Sequence, residues 1–518
     1  MALLNDELCD SVKAQNEGVL TLKTLLNPAL VRPLDKATLN RLNPKPGPTL
    51  IICSVAASKK LAKDLAGDVA DWQLEELKDA KKSSLSWSGL EGPIWVLRPD
   101  AMKSSKGYFE LSDFAKGREA MGAWCRGNYK SLESLSIQCK GIGAEYVKGA
   151  LHALVLAHYK PAHVYKTGDK KKDTQLFIKS DRVKFTPKLI KQIQAFSCSM
   201  NLSRHLTNLP GGDLHPKSFS EIAKKVLAKK KGVTVEVWNE ARLEKENCGL
   251  LLGVGRAGVS APCLVKIKYR PTGAKNKKPI AFVGKGVTFD TGGLDLKPAA
   301  GMRLMKKDMS GAGIVLGLAH YVAESQPKRA FDFYLALAEN GVNETAVRPG
   351  DVLTARNGKT VEIHNTDAEG RLVMADAMDV AVTQKAANAP ETLIDISTLT
   401  GAMRISLGFD VAGFFSTDEK LAGDLAKSAK NVGEPAWRMP LYENYRKDLD
   451  STIADLSNCG TGGMGGAISA ALFLKEFVGD VKWAHFDVMA FNHSHKGAVS
   501  EGGNAQSFQL LADYISRA

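Results

Sequence analysis

Residues 360–378 constrain the fold more than any other part of the chain. Thr360-Val361-Glu362-Ile363-His364 alternates in the β-branched manner of a strand, and Arg371-Leu372-Val373-Met374-Ala375-Asp376-Ala377-Met378 carries a helical pattern. Between them lies a glycine-bearing turn, Asn365-Thr366-Asp367-Ala368-Glu369-Gly370. A strand that passes through a turn into a helix belongs to an open α/β sheet, where ligands gather at the carboxyl ends of strands. The turn spaces Asp367, Glu369 and Arg371 two residues apart, so it presents two carboxylates and a guanidinium that can hold metals. Taken alone, the same acids also suit a solvated turn at a helix N-terminus.

A second cluster, Val283-Gly284-Lys285-Gly286-Val287-Thr288-Phe289-Asp290-Thr291-Gly292-Gly293-Leu294-Asp295-Leu296-Lys297-Pro298, follows the apolar run Pro279–Phe282 and reads as strand, then glycine-rich loop. The Gly-x-x-x-x-Gly-Lys-Ser/Thr spacing of a phosphate-cradling loop is absent, which excludes a nucleotide site there. A third cluster, Met305-Lys306-Lys307-Asp308-Met309-Ser310-Gly311-Ala312-Gly313, opens a helix whose apolar face continues through Ile314, Val315, Leu318 and Val322. By position alone Asp308 suits a helix cap.

The three clusters together closely resemble the leucyl aminopeptidase (cytosol aminopeptidase) family. The octapeptide Asn365–Leu372 is that family's signature and stands here unaltered. The resemblance begins at Asn208-Leu209-Pro210 and passes through Val283–Lys297, Met305–Gly313, Arg348-Pro349-Gly350-Asp351 and Asp395–Ala402 to Ala470–Phe477. It therefore covers most of the chain after the first third, in the family's order.

The resemblance implies a two-metal aminopeptidase that removes leucine and similar apolar N-terminal residues from peptides. In that reading Asp290 and Glu369 bridge the metals, Asp367 serves one, and Lys285 with Asp308 serves the other. Two ions about 3.5 to 4 Å apart need such bridging carboxylates and an open position for water. The oxygen-rich set with one amine leaves zinc, manganese, cobalt and magnesium open, and zinc or manganese is what the resemblance favours. By resemblance Lys297 stabilises the developing oxyanion, and Arg371, whose guanidinium stays protonated and cannot act as a base, holds a bicarbonate that shuttles the proton. The substrate amine is expected near Asp308, with backbone groups of Leu399 and Gly401 aligning the peptide. Met305, Thr398 and Gly401 would line the pocket for the first side chain. As isolated residues, Lys297 and Arg371 read as surface charges and Met305 as core filler, while Asp295 reads as exposed. The offsets of Lys297 and Arg371 from Asp290 and Glu369 match the family. The family also implies trimers paired into hexamers through the C-terminal domain. The chain departs from the family at Met489, where a small residue is usual, and in Gly502-Gly503-Asn504-Ala505-Gln506.

At 518 residues the chain exceeds one ordinary domain. Residues 1–185 read as a smaller N-terminal α/β domain, with strands at Pro48–Val55 and Gly92–Leu97. A helix is expected over Ala144–Tyr159, ended before Pro161, with His152 and His158 packed on or beside its apolar face. Residues 186–210 form a connecting helix. Residues 211–518 form the larger catalytic α/β domain, with a central, mostly parallel sheet covered by helices. No apolar run is long enough for a membrane span, and Met1–Glu7 lacks a secretory leader pattern. The eight cysteines, from Cys9 to Cys459, occur singly with no Cys-x-x-Cys pair, as in a reduced cytoplasmic protein. The net charge of +14 is concentrated in lysine runs at 170–172, 229–231 and 275–278 without interleaved aromatics. Those runs read as solvated loops, so nucleic acid is not the expected partner.

Overall fold

A computed structural model describes residues 48–65, 69–79, 81–89, 92–98, 111–128, 134–159, 175–272, 278–460 and 462–518. Met1–Glu7, Cys9, Pro161, the 170–172 lysine run and residues 275–277 lie outside the described residues.

The chain divides into two compact units. The first comprises residues 1–198 with the short segments 430–433 and 494–501; the second takes the remainder. The division falls inside the helix Pro187–Asn208. In the first unit, strands β1 (Thr49–Cys53), β2 (Ser84–Gly89), β3 (Gly92–Leu97), β4 (Ser134–Lys140) and β5 (Gln175–Ser180) form one sheet in the order β2-β3-β1-β4-β5. All pairs are parallel except β2 with β3. The helix Ala144–His158 places His152 in the core, where its Nδ1 lies 2.8 Å from Ser197 Oγ. His158 is buried as well.

The second unit contains β6 (Val233–Trp238), β7 (Cys263–Tyr269), β8 (Ile280–Asp290), β9 (Phe331–Asn340), β10 (Val352–Thr354), β11 (Thr360–Glu362), β12 (Thr392–Ser397), β13 (Ala412–Ser416), β14 (Ala436–Arg438), β15 (Leu456–Ser457) and β16 (Lys482–Asp487). Its eight-stranded sheet has the order β14-β13-β16-β12-β8-β9-β7-β6. The central run β16-β12-β8-β9 is parallel, and antiparallel pairings begin on either side of it. The centre matches its sequence, since β12 is buried along its whole length and β8 almost so, as befits strands covered on both faces.

The alternation of β8 shows how the two faces are covered. Ala281, Val283 and Val287 join the core cluster containing Leu372, Val373 and Met378 of the helix Glu369–Val382. Gly284 and Gly286 point the other way, toward the helix Ser310–Ser325. A Cβ on Gly284 would stand 2.6 Å from the Ala312 Cα, so only glycine permits this approach. Gly284-Lys285-Gly286 therefore lies inside a strand, where the sequence suggested the start of a loop; the loop begins at Thr291. Two other expectations shift. The strand expected over Thr360–His364 ends at Glu362, and its helix starts at Glu369, two residues early. Asp308 is no helix cap: it closes the short 3₁₀ turn Met305–Lys307, and the helix follows from Ser310. Among the described residues no helix is long and apolar enough to cross a membrane.

Candidate active site

Because β8, β9, β12 and β16 run parallel, their carboxyl ends meet at one edge. That edge carries Asp290, Asn340, Thr398 and Asp487, all nearly or fully buried. The Asn365–Gly370 turn closes over it and adds Asp367 and Glu369. One oxygen from each of Asp290, Asp367 and Glu369 lies within 4.8 Å of the others, a spacing that suits a metal.

Two lysines enter this acidic group. Lys285 Nζ, projecting from β8, is 2.7 Å from Asp308 Oδ2 and 2.8 Å from Glu369 Oε1. These are ion-pair contacts without hydrogen-bond geometry, and Glu369 Oε2 also lacks a hydrogen bond. Lys297 Nζ is 2.8 Å from Asp290 Oδ2 and also pairs with Asp367 Oδ1. Gly370 makes the first arrangement possible, because a Cβ there would stand 2.5 Å from Lys285 Nζ. The five residues expected at the metals and Lys297 thus share one cluster, while Asp295 is exposed on its rim.

Burial governs the charges. It pushes the Glu369 carboxyl up to about 8, with Asp290 adding to the rise and Lys285 opposing it. Asp367 is raised for the same two reasons. For Lys285 burial favours the neutral amine, but Asp308, Glu369 and Asp290 outweigh it and hold the ammonium above the ordinary lysine range. Against the two ammonium groups of Lys285 and Lys297, the carboxylates of Asp290, Asp308, Asp367 and Glu369 are in excess, and an excess of enclosed negative charge is costly to retain without a further cation. The donor set therefore fits one or more divalent ions with oxygen and amine ligands.

Several supports were not legible in the sequence. Asn340 Nδ2 donates to Asp290 Oδ1 at 2.9 Å and to the Thr366 carbonyl at 3.1 Å, tying the two loops together. Thr366 Oγ1 donates to the Gly292 carbonyl at 2.6 Å, and its amide donates to Asp295 Oδ2 at 2.7 Å. Gly292 and Gly293 adopt φ of +88° and +67°, which the turn into Lys297 requires. Asn458 accepts the amides of His364 and Asn365 and returns its Nδ2 to the Asn365 carbonyl at 2.6 Å. The Asn458 carbonyl accepts from Arg371 Nη1 at 2.7 Å, which leaves the buried Arg371 Nε without a hydrogen bond.

The remaining expected residues flank the cluster. Thr398 Oγ1 donates to Asp308 Oδ1 at 2.6 Å. The Leu399 amide is held by Asp487 at 3.0 Å, Gly401 opens the helix Gly401–Leu407, and Met305 is half-buried.

The model of the cytosol aminopeptidase family catalytic domain matches residues 201–512. A probable cytosol aminopeptidase of Rhodopirellula baltica is 43% identical over 322 residues, 62% of each chain; the match thus spans less than two thirds of that relative's length. The cytosol aminopeptidase of Encephalitozoon cuniculi is 37% identical over 396 residues, covering 76% of this chain and 78% of that protein. Among solved structures, the cytosol aminopeptidase of Coxiella burnetii aligns with a TM-score of 0.76 and 30% identity over 92% of this chain and 98% of its own. The bottromycin maturation enzyme BotP in complex with Mn aligns at 0.77 with 26% identity, over 91% and 99%. With its carboxylate and lysine cluster seated where the matched domain lies, the chain belongs to the cytosol aminopeptidase family.

Proposed function

We propose that the protein is a metal-dependent aminopeptidase that hydrolyses the first peptide bond of peptides, preferring leucine and similar apolar N-terminal residues. The observation that carries this reading is the group of buried Asp290, Asp308 and Glu369 with part-exposed Asp367, and with Lys285 inserted between Asp308 and Glu369. Asp290 and Glu369 would be shared by two ions, Asp367 would serve one, and Lys285 with Asp308 the other. When bound, the ions supply Lewis acidity toward the scissile carbonyl and acidify a water. Zinc and manganese are the foremost candidates, manganese having support from the BotP complex; cobalt and magnesium suit the same donors.

The chain's own groups do the rest. Lys297, part-buried and held above the ordinary lysine range by Asp290 and Glu369 against the opposing effect of burial, keeps a fixed positive charge for the oxygen that becomes negative. Arg371 Nε, buried and unpaired, offers a donor to an anion, which supports bicarbonate as the proton shuttle there. The substrate amine would lie by Asp308, and Met305, Thr398 and Gly401 would border the first side chain. Since the Leu399 amide is committed to Asp487, Leu399 can align the peptide only through its carbonyl. A cytoplasmic homohexamer is the assembly proposed, and sedimentation of a species near the 55.8 kDa chain mass at micromolar concentration would remove that part alone.

The test is metal analysis together with hydrolysis of a panel of aminoacyl amides, free and N-acetylated. Chelator-sensitive release of leucine from the free amide alone is expected. Equal cleavage of the acetylated substrate would overturn the aminopeptidase reading.

A further inference from the structure

One buried cation has no part in the scheme above. Lys307, the last residue of the 3₁₀ turn that begins at Met305, is 7% exposed. Its neighbour Lys306 donates to the Asn208 carbonyl at 3.0 Å, and the Lys307 carbonyl accepts from Ser310 Oγ. Among the described residues, however, the Lys307 ammonium has neither a hydrogen bond nor an ion pair. Its charged surroundings are Asp308, Lys285, Asp487 and Lys297, which are the residues of the site and of its flanking wall. Asp308 and Asp487 are each engaged by the other side of that wall, through Thr398 Oγ1 and through the Leu399 and Thr400 amides. A cation in so enclosed a position is retained at a cost unless something pairs with it. The described residues supply no such partner, so a ligand anion is the natural one.

Position decides which anion. Lys307 shares its turn with Met305 and adjoins Asp308, which Thr398 holds, so its backbone belongs to the Met305–Thr398 side of the cluster. On the aminopeptidase reading, on which this inference rests, that side receives the first residue of the peptide. We propose that Lys307 pairs with the side-chain carboxylate of an acidic first residue, so that the enzyme accepts aspartyl and glutamyl peptides beside apolar ones.

The experiment compares aspartyl, asparaginyl and leucyl amides on the metal-loaded enzyme and its Lys307→Met and Lys307→Arg variants. In Lys307→Met the ratio of kcat/KM for aspartyl over asparaginyl substrate should fall about tenfold or more, and in Lys307→Arg it should largely recover. Calorimetric binding of the hydroxamates of aspartate and leucine should show the same change in ratio, and it needs no turnover. An unchanged ratio in both measurements overturns the proposal. So does a wild-type enzyme that cleaves leucyl but no acidic substrate. If Lys307→Met instead loses Leu-Gly relative to Leu-glycinamide, the cation serves the far end of the peptide and the proposal is likewise overturned. Should wild type cleave nothing while the hydroxamate ratio still shifts, the aminopeptidase reading fails and the Lys307 site stands.

Discussion

Thr400 Oγ1 donates a 2.6 Å hydrogen bond to Asp487 Oδ2, joining the turn after β12 to the end of the neighbouring strand β16. The other Asp487 oxygen accepts the amides of Leu399 and Thr400 at 3.0 and 3.2 Å. Thr400 Oγ1 in turn caps the helix Gly401–Leu407 by accepting from the Met403 amide at 3.1 Å. One buried carboxylate thereby sets the path of the backbone from Thr398 to Gly401, where the first residue of a substrate would lie.

Asp487→Ala should therefore misplace that backbone without touching the metal ligands. A misplacement of about 1 Å costs about a hundredfold in kcat/KM. Asp487→Asn keeps one acceptor oxygen for the two amides and should recover much of the loss. Metal content equal to wild type, with kcat/KM reduced, is the expected pattern; unaltered kinetics in Asp487→Ala would show that the turn holds its shape without this carboxylate.

Asp290→Ala and Glu369→Ala address the cluster itself. Each removes a carboxylate proposed to be shared by both ions, so turnover should drop by more than about a thousandfold, in line with the several kcal/mol a bound ion supplies. Both residues lie at element ends, Asp290 closing β8 and Glu369 opening its helix, so the fold should persist. Circular dichroism, metal content and hydrolysis of a leucyl amide measure the three effects. Near-normal turnover with full metal content in either variant would refute the shared-ligand assignment.

How much of this was legible in the sequence depended on whether a residue acts through local spacing or through contacts made only on folding. Asp367, Glu369 and Arg371 sit in one turn and the helix start that follows it, and Lys285, Asp290 and Lys297 in one strand and loop, so short motifs that match the family were enough to single them out. The strand–turn–helix reading of 360–378 likewise held except at its ends, because β-branching at Ile363 suggests strand while the chain is already turning toward Asn365. Gly284 and Gly286 misled for a physical reason: glycine is commonest in loops, but here its missing side chain admits the helix Ser310–Ser325 against β8. Asn340, Asn458 and Asp487 carried no local signal. Their partners lie 26 to 94 residues away, and only the convergence of parallel strand ends brings them together. Lys307 carried no local signal either, since its enclosure arises only on folding.

A buried pair beneath the site predicts a pH effect on stability. His485 on β16 and Asp395 on β12 are both fully buried, with Nδ1 2.6 Å from Oδ1, and Trp483 Nε1 donates to the second Asp395 oxygen at 2.7 Å. Burial disfavours the imidazolium, but Asp395 outweighs it and raises the His485 pKa above its ordinary value. A raised histidine pKa contributes stability that is fully present below the unfolded value, about 6.5, and is lost as pH rises through the folded value. The gap in unfolding free energy between wild type and His485→Gln should thus narrow as pH rises above that point. Urea titrations of both proteins at several pH values measure it, and shared contributions cancel in the difference. A gap that widens or stays constant would mean His485 is neutral in the folded protein.

Burial favours the neutral amine of Lys285, but Asp308, Glu369 and Asp290 outweigh it and hold the ammonium above the ordinary lysine range. An amine ligates a metal only when neutral, so an ion entering beside Lys285 must displace its proton. Glu369, pushed up to about 8 by burial and by Asp290, would release part of a proton in the same event. Metal uptake should accordingly expel protons, and occupancy should fall as pH falls, with activity highest on the mildly alkaline side and partly restored in acid by excess metal. Calorimetry of metal binding near neutral pH, in two buffers of different ionisation enthalpy, counts those protons directly. Lys285→Met should release fewer and bind the affected ion about 10- to 100-fold more weakly. Methionine leaves Asp308 and Glu369 without a counter-charge, so the variant can still draw in a cation, and weakened but not abolished binding is the discriminating outcome. Equal proton release in the two proteins, or normal binding of both ions by the variant, would remove Lys285 from the ligand set and leave it an ion-pair partner of Asp308 and Glu369 alone.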